Sequence, residues 1–318
     1  MLVQDTSFLK NEIMRLKKEK DVVILAHNYE IPDVQDVADF TGDSLGLSKL
    51  AATVQQKTIL FCGVHFMAET AAIISPEKRV LLPSLEAGCS LSDSITADEL
   101  RNWKKQHPDA ISVGYVNTTA EIESELDYCC TSSNAVNVVN SIPKDKEILF
   151  LPDMFLGSYV AKMTGRNNMH IWAGECHVHA GITPEDVTKK LNSMHDTEFL
   201  IHPECSCTTP MMYDVADGSY ENNKVSILST EGMLNYASAS KSKNFVVATE
   251  TGILYKMKKD NPDKTFVPAS EKAECQYMKM ITLEKVHDAL VREKNVITVP
   301  KKIADKARLA INRMLEIS

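Results

Sequence analysis

The sequence predicts an α/β protein made of three homologous units with parallel sheets, arranged around a pseudo-threefold axis. Short apolar runs rich in β-branched residues alternate with segments of helical periodicity along the 318 residues, a pattern typical of parallel α/β structure. Three of the runs end in polar side chains, and their equivalent residues His27, Tyr115 and His202 are separated by 88 and 87 residues. A constant spacing of this length indicates an internal repeat.

The composition limits the classes of protein to consider. With 318 residues, of which 44% are hydrophobic, the chain exceeds the usual size of one domain, so two or three domains are expected. The net charge of −8 and the lack of a Lys/Arg cluster argue against nucleic acid as a partner. Because no apolar run of about 18 residues and no signal-peptide pattern occur, we expect no membrane segment and a cytoplasmic location.

The first unit begins with a helix and a buried strand. The periodicity of residues 6–20 predicts a helix that covers the sheet. Its apolar stripe consists of Phe8, Leu9, Ile13 and Leu16. Residues 22–26 form a continuous apolar run, which is typical of a strand buried on both faces. His27 and Tyr29 follow at the carboxyl end of this strand.

Each unit continues with a helix, a strand, a helix, a strand and a loop that carries a cysteine. In the first unit these segments are 45–55, 58–62, 68–74 and 80–82, followed by Cys89. The second unit has a strand at 111–116, then 134–140, 147–151, 156–163 and 170–172, followed by Cys176. The third has a strand at 199–201, a longer polar loop over 208–226, a helix opened by 229–232, then 244–248, 252–259 and 265–267, followed by Cys275.

Two further helices, at 282–294 and 301–316, are predicted to close the chain. The expected domains are residues 1–92, 93–181 and 182–281. The C-terminal helices, 282–318, are expected to pack on the first domain. Because no low-complexity linker separates the units, we expect them to pack closely.

A polar pair stands at the carboxyl end of the first strand of every unit. The pairs are His27 with Tyr29, Tyr115 with Asn117, and His202 with Glu204. Ligands of open α/β sheets bind beyond the carboxyl ends of the strands, so we expect all six side chains to face one cavity. The alternative is that each pair merely ends its strand at the surface.

Hydroxyl side chains precede the helix that follows in each unit. They are Ser44 in the first unit, Ser132 in the second, and Ser229 with Thr230 in the third. One interpretation is that they only cap the helices. A helix N-terminus also binds carboxylate or phosphate through its free N–H groups, so three of them predict a small polyanionic ligand.

Cys89, Cys176 and Cys275 occupy equivalent positions in the three units. A lone cysteine is more often a buried apolar side chain than a ligand, but one per unit predicts a trigonal thiolate site for zinc, copper(I) or an iron–sulfur cluster. On a [4Fe–4S] cluster, three thiolates would leave one iron open as a Lewis acid. A zinc site would instead take His177 or His179 as its fourth ligand and be structural. Cys205 and Cys207 are a further candidate metal pair.

Longer motifs resemble those of the quinolinate synthase family. They are 25–29 (LAHNY), 42–44 (GDS), 115–117 (YVN), 130–135 (CTSSNA), 202–205 (HPEC), 248–250 (ATE), 266–268 (FVP) and the three separated cysteines. The resemblance covers nearly the whole chain. It implies three three-layer α/β/α domains around a central [4Fe–4S] cluster held by Cys89, Cys176 and Cys275.

The resemblance also implies an activity: a transferase of NAD biosynthesis that condenses iminoaspartate with dihydroxyacetone phosphate to give quinolinate, phosphate and two waters. The implied substrate-binding residues are His27, Ser44, Tyr115, Asn117, Ser132, His202 and Ser229 or Thr230. Tyr29, His179 and Glu204 would transfer protons, with Glu204 as the base, because elimination of water needs both a base and an acid. Transient contact with the enzyme that produces iminoaspartate is a further expectation.

Two other classes of protein could use the same three thiolates. One is a non-catalytic iron–sulfur redox or sensor protein, and the other is a zinc-stabilised binding module. The polar residues at the strand ends argue against an electron carrier, since that function needs no polar substrate cavity.

Overall fold

Three four-stranded parallel sheets form the framework of the molecule. The computed structural model describes residues 6–194, 196–216, 218 and 224–317. Each sheet has the same strand order, in which the first strand of the unit lies between the second and the third, and the fourth lies outside the third. The predicted α/β class and the threefold repeat are therefore confirmed.

The elements of each unit follow in chain order. The first unit contains α1 (Thr6–Glu19), β1 (Val22–His27), α2 (Pro32–Val37), β2 (Phe40–Gly42), α3 (Ser44–Thr53), β3 (Thr58–Cys62), α4 (His65–Ile74) and β4 (Arg79–Leu81). The second contains α5 (Ala97–Gln106), β5 (Ile111–Tyr115), α6 (Ala120–Glu123), β6 (Tyr128–Cys130), α7 (Ala135–Ser141), β7 (Ile148–Leu151), α8 (Met154–Thr164), β8 (Met169–Ile171) and α9 (His177–Ala180). The third contains α10 (Pro184–Ser193), β9 (Thr197–Ile201), α11 (Thr208–Ala216), β10 (Val225–Ile227), α12 (Thr230–Ala239), β11 (Asn244–Ala248), α13 (Ile253–Asp260) and β12 (Thr265–Pro268). The helices α14 (Leu283–Arg292) and α15 (Lys301–Glu316) follow.

The central strands are the best predicted elements because helices cover both faces of each sheet. All residues of β1, β3 and β7 are buried. A strand buried on both faces needs apolar side chains at every position, and this gives the continuous apolar runs seen in the sequence.

Three short edge strands, β2, β6 and β10, were not predicted. Each has three residues and pairs with one neighbour only, the first strand of its unit. Three residues are too few for a period of two to be recognised, so these strands are defined by their partner rather than by their own sequence.

Two local predictions were wrong. Phe8 was placed on the buried stripe of α1, but its side chain is 54% exposed, whereas Leu9, Ile13 and Leu16 are buried. The segment 208–226 was expected to be a polar loop, but Thr208–Ala216 forms α11 and buries Met211. Part of that segment lies outside the described residues.

The two C-terminal helices pack on different units. Helix α14 lies against α1 of the first unit. Helix α15 lies chiefly against α6 and β6 of the second unit, and also touches α4, so the expectation that both helices rest on the first unit is not met by α15. Among the described residues, no helix is long and apolar enough to cross a bilayer.

Candidate functional site

The carboxyl ends of the first strands of the three units meet at one cavity of about 700 Å³, a volume that includes space open to solvent. The predicted residues that line it are His27, Tyr29, Ser44, Cys89, Tyr115, Asn117, Ser132, Cys176, His179, His202, Glu204, Thr230 and Cys275. Ser229 is not among the lining residues. The reading that each polar pair merely ends its strand at the surface is therefore wrong, because the pairs face one another across this space.

Glu204 connects the polar groups of the second and third units. It is 2% exposed, and its carboxylate accepts a short hydrogen bond from the Tyr115 hydroxyl. The Nδ1 atoms of His179 and His202 each lie 3.4 Å from a Glu204 oxygen. Neither contact has hydrogen-bond geometry, and among the described residues both nitrogens are buried without a partner. These unpaired nitrogens at the cavity wall are suited to a ligand.

Tyr29 is held by residues from the other two units. Its hydroxyl lies 2.5 Å from Thr249 Oγ1 and 3.4 Å from His179 Nε2. Thr249 Oγ1 in turn lies 3.0 Å from His179 Nε2. Thr249 thus joins the two predicted proton donors, although no role was predicted for it.

His27 is fixed by its own loop. The Tyr29 backbone N–H donates to His27 Nδ1 at 3.2 Å, and the two rings meet edge to face with centroids 4.5 Å apart. An Nδ1 atom that accepts a hydrogen bond carries no proton, so the neutral ring has its N–H at Nε2.

Three of the histidines that line the cavity, His27, His179 and His202, are neutral hydrogen-bonding groups. Burial, together with Lys279 and His179, lowers the pKa of His27 to about 3. Burial and His177 lower the pKa of His179 to about 3, and burial with two neighbouring histidines lowers the pKa of His202 well below its usual range. The described residues that line the cavity include no lysine or arginine. An anionic ligand must therefore be held by neutral donors and helix ends.

The starts of α3 and α12 place residues in the cavity wall, and at α12 the capping residue and the lining residue are different. Asp43 caps α3 by accepting the Gly46 N–H at 2.7 Å, which leaves Ser44 at the first helical position and in the cavity wall. Ser229 caps α12 in the same way, and Thr230 takes the lining position. Ser132 Oγ lies 3.2 Å from His202 Nε2.

The three cavity cysteines share one local structure. Each carbonyl accepts the N–H four residues later, so each cysteine begins a helical turn. The Ser92 N–H donates to Cys89 Sγ at 3.5 Å, and backbone N–H groups two and three positions after each cysteine oppose the rise in its pKa; they belong to Leu91 and Ser92, Val178 and His179, and Tyr277 and Met278. Such N–H groups stabilise thiolates, as metal ligation requires.

The thiols of these cysteines need a cation to ionise. Burial raises the pKa of Cys89 to about 12, and raises those of Cys176 and Cys275 above their usual value. All three are partly buried free thiols, whereas the other five cysteines are fully buried. Cys205, one of the two suggested as a further metal pair, donates to the carbonyl of Ala248 in an apolar core, and Cys207 lies in the same core.

The spacing of the three sulfurs argues against a single zinc ion. Two Zn–S bonds of about 2.3 Å place two sulfurs at most about 4.6 Å apart. The sets of three described ligand atoms within 4.8 Å of one another do not include the three cysteines. Cys176, His179 and Glu204 do form such a set, but with one thiolate only. At least one pair of the three sulfurs is therefore more than 4.8 Å apart, which is too far for one zinc ion to bind all three.

A buried ion pair supports this site, and sequence reasoning missed it. Glu250 is 1% exposed and accepts the backbone N–H of Cys275 at 3.0 Å and the Lys279 ammonium at 2.7 Å. Lys279 also donates to the carbonyl oxygen of Tyr29. This network joins a cavity cysteine of the third unit to the first unit. The motif at 248–250 was its only sequence signal.

Comparisons with known proteins agree over nearly the whole chain. The family model described as Quinolinate synthetase A protein matches residues 11–316. A quinolinate synthase of Thermus thermophilus is 52% identical over 309 residues, covering 97% of each chain. A quinolinate synthase of a Mycobacterium species (strain KMS) is 50% identical over 306 residues, covering 96% of this chain and 91% of the relative. One of Mycobacterium tuberculosis is also 50% identical, over 96% of this chain and 88% of the relative. These matches include all three units and the cavity between them.

Proposed function

The chain belongs to the quinolinate synthetase A protein family, and we propose from this premise how its cavity forms quinolinate. It is an enzyme of NAD biosynthesis. The proposed reaction condenses iminoaspartate with dihydroxyacetone phosphate and releases phosphate and two waters. The observation that carries the proposal is the single cavity to which all three units contribute a polar pair and a cysteine.

In this proposal, Cys89, Cys176 and Cys275 hold a [4Fe–4S] cluster. The backbone N–H groups that favour each thiolate, the burial of the thiols and a sulfur spacing too large for a single zinc ion support it. A cluster with three protein thiolates supplies one iron with an open position, which acts as a Lewis acid toward a substrate oxygen or nitrogen. A zinc-stabilised module is not favoured, because three sulfurs within reach of one zinc ion are not found.

Neutral donors and helix ends bind the anionic groups of the substrates. His27, His202 and the side-chain NH2 of Asn117, all lining the cavity, offer hydrogen bonds without a competing positive charge. Ser44 and Thr230 stand at the first positions of α3 and α12, where free N–H groups and the helix dipole favour carboxylate or phosphate. Ser132 and Tyr115 are the remaining proposed substrate-binding residues.

Proton transfer is assigned to Glu204, His179 and Tyr29. Burial and the nearby Asp153 raise the pKa of Glu204 well above its usual value, although the Tyr115 hydrogen bond opposes this. A carboxylate of raised pKa is a better base for a carbon-bound proton. Tyr29 is the proposed proton donor to a departing hydroxide, and neutral His179, connected to Tyr29 through Thr249, can relay a proton between its two ring nitrogens. A non-catalytic redox or sensor protein would need none of these groups.

Anaerobic turnover tests the proposed reaction. We expect protein reconstituted with iron and sulfide to form quinolinate from iminoaspartate and dihydroxyacetone phosphate. Glu204→Gln should keep the iron content and lower kcat by at least about a hundredfold, the scale of a lost general base. Glu175→Gln, at an exposed position beside Cys176, is the matched control and should keep its activity. Wild-type activity in Glu204→Gln would remove Glu204 from the mechanism.

Two expectations from the sequence remain proposals about the cellular setting. We infer a cytoplasmic enzyme that meets the iminoaspartate-producing enzyme only transiently. Cell fractionation tests the location. Addition of an inactive variant of the producing enzyme to a coupled assay tests the contact, since competition for a docking surface should slow quinolinate formation.

A further inference from the structure

A second set of metal-ligating side chains lies in the second unit, at the amino edge of its sheet. His107 ends α5 just before β5, Glu147 immediately precedes β7, and His170 lies on β8. Because the strands are parallel, their amino ends lie at the edge opposite the cavity. This group, the His107–Glu147–His170 cluster, is therefore separate from the thiolate site.

The cluster already has the geometry of a three-ligand site. One ligand atom from each of its residues lies within 4.8 Å of the other two. His107 Nδ1 is 3.2 Å from Glu147 Oε2, and His170 Nε2 makes a short contact with Glu147 Oε1. The two imidazoles thus approach opposite oxygens of one carboxylate.

Surrounding structure holds the three side chains in place. The Trp103 ring stacks on His107 with centroids 4.0 Å apart and an interplanar angle of 6°. The carbonyl of Glu147 accepts the N–H of Ile111 at 2.8 Å, and His170 is paired with Leu149 in the sheet. The ligand set is therefore anchored on three elements, and the exposed fractions of its side chains, 29% to 44%, leave it open to solvent.

We propose that the His107–Glu147–His170 cluster binds a divalent transition-metal ion, with zinc as the best match. Two imidazole nitrogens and one carboxylate suit zinc, which takes water as the fourth ligand at such open sites. Magnesium and calcium are excluded by their preference for oxygen ligands. The bound ion ties the end of α5 to β7 and β8.

Equilibrium dialysis of the cluster-loaded enzyme tests this site. Tag-free protein, prepared anaerobically and containing its full iron, is dialysed against micromolar zinc sulfate, and zinc and iron per chain are measured together. We expect one zinc per chain in the wild type, and its loss in His107→Gln and in His170→Gln. His287→Gln on α14, outside the site, is the matched control and should keep the zinc.

Iron content and quinolinate formation show that each variant is folded. Zinc should also raise the thermal midpoint of the wild type, and leave those of His107→Gln and His170→Gln unchanged. The proposal is overturned if the wild type binds no zinc, or if both variants bind as much as the wild type. Because the site lies away from the cavity, neither outcome bears on the proposed quinolinate synthesis.

Discussion

Glu204 is the side chain on which the polar contacts of the cavity converge. Its carboxylate accepts a hydrogen bond from the Tyr115 hydroxyl and faces His179 and His202. Residues of the second and third units therefore contact the same carboxylate. Both histidines are uncharged because of their burial. The cavity therefore selects ligands by hydrogen bonding and shape rather than by fixed positive side chains.

Thr249 should control the orientation of both proton donors. Replacing it by Val removes the hydroxyl that lies 2.5 Å from Tyr29 and 3.0 Å from His179, while the shape is kept. We expect kcat to fall about tenfold, equal to about 1.4 kcal/mol, because a buried hydroxyl then loses its partner. Steady-state kinetics on iron-matched samples measure the change. Thr249→Ser should recover most of the activity, and a Thr249→Val enzyme with wild-type kcat would contradict this role.

At the residue scale, the sequence was sufficient to predict a site residue where that residue has an equivalent in each unit. His27, Tyr115 and His202 were found together because each follows the first strand of its unit. Thr249 and Lys279 were not found in this way, and both contact Tyr29 of the first unit. Contacts of this kind depend on how the units pack, which spacing along one chain does not report.

At the scale of elements, the helix starts and the cysteine turns are the functional parts. Three cysteines begin equivalent turns, and the starts of α3 and α12 each place the residue after the cap in the cavity wall. Central strands and α15 could be predicted from apolar patterns, since their burial determines their composition. The edge strands could not, because three residues carry too little periodicity.

At the start of α12, we expect Ser229 to affect the stability of the fold and Thr230 to affect substrate binding. Ser229→Ala removes the hydroxyl that accepts the Gly232 N–H at 3.2 Å, so it should lower the free energy of unfolding by about 1 kcal/mol and leave KM unchanged. Thr230→Val should do the reverse and raise KM for the phosphorylated substrate, because Thr230 lines the cavity. Urea denaturation and steady-state kinetics on both variants measure the two effects. An increased KM in Ser229→Ala alone would reverse the assignment.

At the scale of the whole molecule, hydrogen bonds between units build the site. Tyr29 reaches Thr249, Tyr115 reaches Glu204, and Ser132 reaches His202, each across a boundary between units. We propose the domain limits 1–92, 93–181 and 182–281, with 282–318 as C-terminal helices shared between the first two units. Limited proteolysis at these limits tests the division.

Asp36 joins the first unit to the third. Its carboxylate contacts Lys10 at 2.9 Å, Lys259 at 2.7 Å and the Tyr255 hydroxyl at 2.5 Å. Burial opposes its ionisation, but these hydrogen bonds outweigh burial and hold its pKa below the usual value. A lowered carboxyl pKa stabilises the folded state above the unfolded pKa of about 3.9, and this stabilisation is lost as the pH falls toward the folded pKa.

Asp36→Asn should therefore lower the urea midpoint at pH 7, by the equivalent of up to about 1 kcal/mol, and the difference from the wild type should shrink below about pH 4. Asp263→Asn is the matched control, because Asp263 pairs with Lys243 within the third unit at an exposed position. Its midpoint should change less. Equal midpoints for Asp36→Asn and the wild type at pH 7 would exclude a stabilising role for this contact.

The central claim is that the three units each give one cysteine to one iron–sulfur cluster in the shared cavity. Iron and acid-labile sulfide per chain after anaerobic reconstitution test it most directly, in Cys176→Ala beside the matched control Cys62→Ala, whose thiol is buried away from the cavity wall. We predict about four iron per chain in the wild type and in Cys62→Ala, and loss of the cluster in Cys176→Ala. A full complement of iron and sulfide in Cys176→Ala would contradict the account.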